Sequence, residues 1–153
     1  MPLLDFGAFA SSIAPYAGLF FAALAAATLL PLQSEALLVG LLLAGYSPWL
    51  LLIAASAGNI LGSTINWAVG RGMHRLGSRH NASRTAKSLK RAEGWYRRYG
   101  KWSLLLSWLP VVGDPLTVIA GLLREPLPTF LLLVGVGKAA RYLALVAGTV
   151  WWA

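Results

Sequence analysis

The sequence predicts an all-α polytopic membrane protein, with two broken, re-entrant hairpins that are each followed by a full transmembrane helix in an inverted-repeat-like order. Three observations carry this expectation. Of 153 residues, 58% are hydrophobic and only 12% are charged, whereas a soluble domain carries roughly 25% charged residues; there is too little polar surface to cover a water-facing globule. Ten of the thirteen Lys and Arg residues fall between Arg71 and Lys101. Twice, a Leu-Pro pair is followed by an acid four residues beyond the proline, from Pro31 to Glu35 and from Pro110 to Asp114, and each time a long apolar stretch follows. Since a hydrocarbon core of about 30 Å needs about 20 apolar residues per helix, the chain has room for roughly three to five membrane segments. One domain, 1–153, is expected at this length.

The N-terminus, MPLLDFGAFASSIAPYAG, has an acid where a cleavable signal peptide would be basic, and is expected to persist in the mature chain. An apolar run from Ile13 to Leu30 stops at Pro31, and the next, Ala36 to Ala44, is nine residues long, about 14 Å as a helix and too short to cross. Trp49 to Val69 is long enough. Its polar residues Ser56, Asn59, Ser63 and Asn66 recur at helical spacing on one face, beside Gly58 and Gly62, which permit close helix approach. Asn59 and Asn66 are therefore candidates for lining a polar cavity or for bonding between helices.

Arg71 to Lys101 holds one acid, Glu93, among its ten cations, and the positive-inside rule keeps so basic a loop on the cytoplasmic side. Within it, Ala86, Leu89, Trp95, Tyr96 and Tyr99 interleave with Arg84, Lys87, Lys90, Arg91, Arg97 and Arg98, a pattern suited to anionic lipid headgroups. Lipid phosphate meets such a stripe before any nucleic acid does, so nucleic acid is not an expected partner. Trp102 to Leu123 has spanning length, but Pro110 and Pro115, with Gly113 and Asp114 between them, break it into two half-length helices. Leu127 to Trp151 is a complete span with Lys138 and Arg141 near its middle, and Trp151 and Trp152 suit an interfacial aromatic belt.

Each broken segment precedes a full span, which reads as a repeat. If Arg71 to Lys101 is cytoplasmic, the first broken segment enters from outside and the second from inside. That is the arrangement of transporters whose inverted repeats meet at mid-membrane. Non-helical backbone at that depth requires a polar cavity or protein around it. Pro31, Pro110, Gly113 and Pro115 are the residues expected to shape the hairpins.

The succession LLPLQSEALLVG from Leu29, GNILGSTINWAVGR from Gly58 to Arg71, and RRYGKWSLLLSWLPVVGDPLTVIAG ending at Gly121 resembles the DedA superfamily, whose shared core is the VTT or SNARE-associated domain, and within it the short YqaA-type branch. The resemblance extends from Leu29 to Tyr142. It implies an inner-membrane protein with two facing re-entrant hairpins, in a superfamily associated with moving phospholipids or polyprenyl phosphates across bilayers, often in dependence on proton motive force. Gly70 and Arg71 match the family's Gly-Arg. Many members carry an acid near the position of Gln33, where this chain has Glu35 instead, and arginines at the positions of Ser107 and Gly113, where it has none. The family's phosphate clamp is therefore not transferable to those positions.

Lys138 and Arg141 lie about 15 Å from either end of their span, beyond comfortable snorkelling reach, at an insertion cost of about 2.5 to 3.5 kcal/mol each. They must face protein or water, and their i, i+3 spacing puts both on one side. A neutral cluster with Glu35 and Asp114 is the structural expectation. In the functional one, Lys138 and Arg141 bind an anionic headgroup while Glu35 or Asp114 carries a proton. With no Cys, two His confined to the basic loop, and no Ser-His-acid set or P-loop, neither a metal, a cofactor nor an enzyme activity is expected. Lipids with anionic headgroups are the expected partners, a homo-oligomer is compatible with the sequence, and a non-transporting membrane organiser is the alternative function.

Overall fold

The computed structural model describes residues 6–28, 33–75, 85–109 and 112–152, and these form helices with no strand among them. In chain order they are α1 (Phe6–Ala26), α2 (Gln33–Leu43), α3 (Pro48–Arg75), α4 (Thr85–Tyr99), a 3-10 segment (Gly100–Trp108), α5 (Gly113–Leu122) and α6 (Leu127–Trp152). Pro48–Met73 and Leu127–Trp152 are long and apolar enough to cross a membrane. The surface is apolar over much of its extent: Phe21, Trp49, Ile53 and Leu132 are each more than 60% exposed, an arrangement that water would penalise and lipid would not.

The helices stop between α1 and α2 and again between the 3-10 segment and α5. Pro31 and Pro110 lie outside the described residues. On the α1 side of the first interruption the chain end is held by side chains: the Thr28 hydroxyl donates to the Ala25 carbonyl at 2.9 Å, and Asn66 Nδ2 donates to the Ala27 carbonyl at 2.8 Å. These bonds take carbonyls that the end of a helix leaves without partners. The helix consequently ends four residues before Leu30, and it begins at Phe6, ahead of the apolar run that started at Ile13.

The stretch before the second interruption is wound as 3-10 rather than as the expected α-helical half. At about 2.0 Å per residue its nine residues reach about 18 Å, against about 14 Å for an α-helix. Gly100, at φ +60, turns the chain out of α4 to begin it. Between α2 and α3 the left-handed Gly45, at φ +84, closes the helix end with a bond from Tyr46 N to the Leu41 carbonyl.

α3 is the axis of the fold, packed between α1 and α5. At both crossings backbone meets backbone. A Cβ on Gly58 would lie 2.1 Å from the Phe20 carbonyl oxygen, and one on Gly121 would lie 1.9 Å from that of Trp67. Two apolar cores result. One gathers Leu19, Ala23, Leu38, Leu51, Ala55 and Val146; the other gathers Ala92, Leu104, Leu116, Ile119, Phe130 and Val134. α6 serves both, with Phe130 and Val134 in one core and Tyr142 and Val146 in the other. Lys138 falls between them.

Among its described side chains, from Lys90 on, α4 docks by one face. Ala92 and Tyr96 are buried, while Lys90, Arg91, Arg97 and Arg98 are exposed. The Tyr96 hydroxyl donates to the Glu125 carboxylate, and Trp67 Nε1 donates to the Glu125 carbonyl at 3.1 Å. Burial first, then the hydrogen bond and the charge of Glu125, push the Tyr96 phenol above its ordinary value.

Candidate functional site

Lys138 and Arg141 occupy successive turns of α6 and reach different neighbours. Lys138 is buried, at 4% exposure. Its Nζ lies 3.1 Å from Asp114 Oδ1 on α5 and also donates to Asn59 Oδ1 on α3. Arg141 pairs with the Glu35 carboxylate on α2 and donates through Nη1 to the Trp108 carbonyl at 2.9 Å. The four charged residues therefore meet as two ion pairs, both organised by α6.

The acids have the same local setting. Glu35 lies in the first turn of α2 and Asp114 in the first turn of α5. Unpaired N–H groups and the positive end of the helix dipole favour a carboxylate there. The first turn of a short helix can thus carry an acid more cheaply than the interior of a continuous helix could.

Neutral side chains connect the two pairs. An ammonium can only donate, so Lys138 fixes the Asn59 amide with its oxygen toward α6. Asn59 Nδ2 then donates to the Tyr142 hydroxyl at 2.7 Å, and that hydroxyl shares a hydrogen bond of 3.1 Å with the Ser34 hydroxyl. The chain Asp114, Lys138, Asn59, Tyr142, Ser34 ends one residue from Glu35.

The pairs differ in access. A cleft of about 670 Å³ lies against α6 and the 3-10 segment, and its wall includes Glu35, Arg141, Leu105, Trp108, Gly137 and Ala140. Lys138, Asp114 and Asn59 are absent from that wall. The cleft is apolar apart from Glu35 and Arg141, which are open to it, whereas Lys138 is sealed behind them. An apolar trough with one ion pair on its wall has the polarity of a lipid: hydrocarbon beside a single charged group.

The chain matches the VTT domain family over residues 30–149. It is a VTT-domain protein of the DedA family. It is 42% identical over 139 residues to the inner membrane protein YqaA of Escherichia coli (strain K12), covering 88% of this chain and 93% of that protein, and equally similar to YqaA of Shigella flexneri. An uncharacterized protein of Haemophilus influenzae is 38% identical over 136 residues, or 84% of this chain and 83% of the relative. No solved structure matches.

The VTT domain takes in both ion pairs and begins after α1. Of the polar residues on α3, Asn59 joins the network, but Asn66 does not line the cleft: it binds the end of α1 through Ala27. Asn59 does not line the cleft either, because Lys138 and Tyr142 cover its amide. Gly113 is buried where a Cβ would lie 2.1 Å from the Ser107 carbonyl oxygen, so a side chain at 113 would force the two sides of the break apart. Pro115 stands in the first turn of α5, where no intrahelical donor is lost. Sequence reasoning missed Tyr142 and Ser34. The signal was available: Tyr142 is one helical turn from Lys138, at i+4, and so shares its face.

Proposed function

We propose that this VTT-domain protein is a multi-pass protein of the bacterial inner membrane. On this reading the interrupted segments are two re-entrant hairpins of opposite orientation, 71–101 lies at the cytoplasmic face, and the protein moves an anionic phospholipid or polyprenyl phosphate across the bilayer. The observation that carries the reading is the Arg141–Glu35 pair on the wall of an apolar cleft. α6 is about 39 Å long at 1.5 Å per residue, and Arg141 sits near its middle. A cation held at that depth and open to an apolar cleft is suited to a lipid phosphate.

The chemistry is an exchange of partners. An arriving phosphate competes with Glu35 for Arg141, Glu35 is released and takes a proton, and the local charge stays balanced. Departure of the phosphate restores the pair and returns the proton. Lys138 and Asp114, sealed from the cleft, hold α5 against α6 while this occurs.

The test is movement of anionic lipid phosphates between the leaflets of liposomes containing the purified chain. Arg141→Gln should abolish binding and movement at every pH, whereas Glu35→Gln should retain binding and lose the response to a proton gradient. Movement by both variants at the unsubstituted rate would overturn the reading. The alternative, a membrane organiser that transports nothing, draws support from the burial of Lys138 within a closed hydrogen-bond network. It predicts no lipid movement by the unsubstituted chain.

A further inference from the structure

We propose that the outer face of the 3-10 segment and the adjoining end of α4 form a binding site for an anionic phospholipid of the neighbouring leaflet, with its phosphate at Arg98 and Lys101 and an acyl chain along Trp102, Leu105 and Trp108. Its charged end is distinct from the Arg141–Glu35 pair, although its apolar row runs into the cleft that holds that pair, and the site holds whether or not the lipid crosses the bilayer.

The winding of the segment provides the track. With three residues per turn, side chains at i and i+3 eclipse one another, so Trp102, Leu105 and Trp108 stand in a single row about 12 Å long. The two ends of the row face outward, Trp102 at 62% and Trp108 at 43% exposure, with Leu105 half-buried between them against the core, whereas Ser103, Leu104 and Ser107 are buried. In an α-helix the same residues would drift round the axis by about 60° at each step. The lower end of the row is continuous with the cleft, which Leu105 and Trp108 line.

The upper end is cationic and fixed. Lys101 Nζ lies 5.9 Å from the centre of the Trp102 ring and the Arg98 guanidinium lies 5.8 Å from that of Tyr99, so each charge stands over an exposed aromatic ring at the start of the apolar row. Such rings favour the headgroup level of a bilayer. Glu93, the acid on α4, is engaged by Arg97 at 3.8 Å and does not neutralise Arg98 or Lys101. Because Ala92 is buried and Tyr96 is bonded to Glu125, α4 is anchored and the backbone that carries Arg98 stays beside the start of the row. An acidic protein or a nucleic acid would satisfy the charges and leave the apolar row uncovered. A phospholipid satisfies both, anion above and hydrocarbon below.

The full-length chain in nanodiscs of phosphatidylcholine provides the test, with no gradient and no transport step. A minor fraction of the lipid is replaced by acyl-brominated phosphatidylglycerol or, in parallel, by acyl-brominated phosphatidylcholine, and tryptophan quenching is read. Each cation near the leaflet should enrich anionic lipid about fivefold, so the brominated phosphatidylglycerol should quench more strongly. Arg98→Gln with Lys101→Gln should remove the preference while leaving quenching by brominated phosphatidylcholine unchanged, and Trp102→Phe should reduce the preferential part of the quenching. Lys90→Gln with Arg91→Gln, on the same helix two turns away, should keep the preference. Equal quenching by the two brominated lipids, or equal loss of preference in both double variants, would overturn the site in favour of ordinary annular lipid or diffuse surface charge.

Discussion

Replacing Asp114 by Asn removes the charge that faces Lys138 and preserves the shape. Lys138 Nζ then faces only neutral amide oxygens, that of Asn59 and that of the substituted side chain, about 16 Å along α6 from Leu127. Removing one partner of a buried pair costs about 3 to 5 kcal/mol. The side chains are 5% and 26% exposed, and the partial exposure of Asp114 places the expectation near the low end, about 3 kcal/mol. In the double variant Lys138→Met with Asp114→Asn, no charge is stranded, and the main remaining cost is the Asn59 acceptor left without a donor, about 1 to 3 kcal/mol. A double-mutant cycle should therefore show a coupling of about 2 kcal/mol or more, read from denaturant unfolding of the purified protein in detergent. Additive single effects, or a cost below 1 kcal/mol for Asp114→Asn, would refute the view that buried Lys138 depends on Asp114.

Gly121→Ala should force α5 away from α3 by about 1.4 Å to bring a 1.9 Å contact to the roughly 3.3 Å at which carbon and oxygen meet; a loss of thermal stability of about 1 to 3 kcal/mol is expected, and an unchanged unfolding temperature would contradict the crossing. Tyr142→Phe should cost about 1 to 3 kcal/mol by orphaning Asn59 Nδ2, measured the same way, and neutrality would mean the network is not closed. The raised Tyr96 value favours the neutral phenol in the folded state, so its contribution is whole below about pH 10, the ordinary tyrosine value, and is lost as the pH rises toward the folded value. Proteolysis around α4 should accordingly increase in alkali, and Tyr96→Phe should flatten that rise; the same alkaline slope in both proteins would refute the assignment.

The long helices α3 and α6 were legible because each is a long, mostly apolar stretch with no proline in its interior, and they follow the expected spans to within a few residues at most ends. α3 runs on through Arg71 to Arg75, since polarity ends an apolar stretch without ending a helix. The ends of α1 were not legible, because Asn66, 39 residues away, takes the Ala27 carbonyl. Winding of 100–108 as 3-10 was hidden for a similar reason: its backbone lies against α6, where a Cβ on Gly137 would come within 2.8 Å of the Leu105 carbonyl oxygen. Within the site, the charges were legible but their pairing was not. Residues at i and i+3 on α6 differ in direction enough to meet different helices, so Lys138 turned to α5 and Arg141 to α2. Tyr142 has no charge that demands explanation, and only the folded arrangement shows it between Asn59 and Ser34.

The two ways of joining helices in this protein have different mechanical consequences. α1, α3 and α5 meet through glycines at backbone contact, where even a methyl group does not fit, and such contacts leave no room for sliding. α6 meets α2, α3 and α5 through Glu35, Ser34, Asn59 and Asp114, whose hydrogen bonds can exchange partners at little cost in packing. Arg141 is bound to both sides of the cleft at once, to Glu35 on α2 and to the Trp108 carbonyl at the end of the 3-10 segment. A phosphate that drew Arg141 from Glu35 would therefore remove one tie between α6 and α2, leaving the Ser34–Tyr142 bond and the buried Leu38, while the glycine-locked α1, α3 and α5 stayed in register. On the transport reading, the moving joint is the polar layer between the two apolar cores, and the step that opens it is the loss of one ion pair.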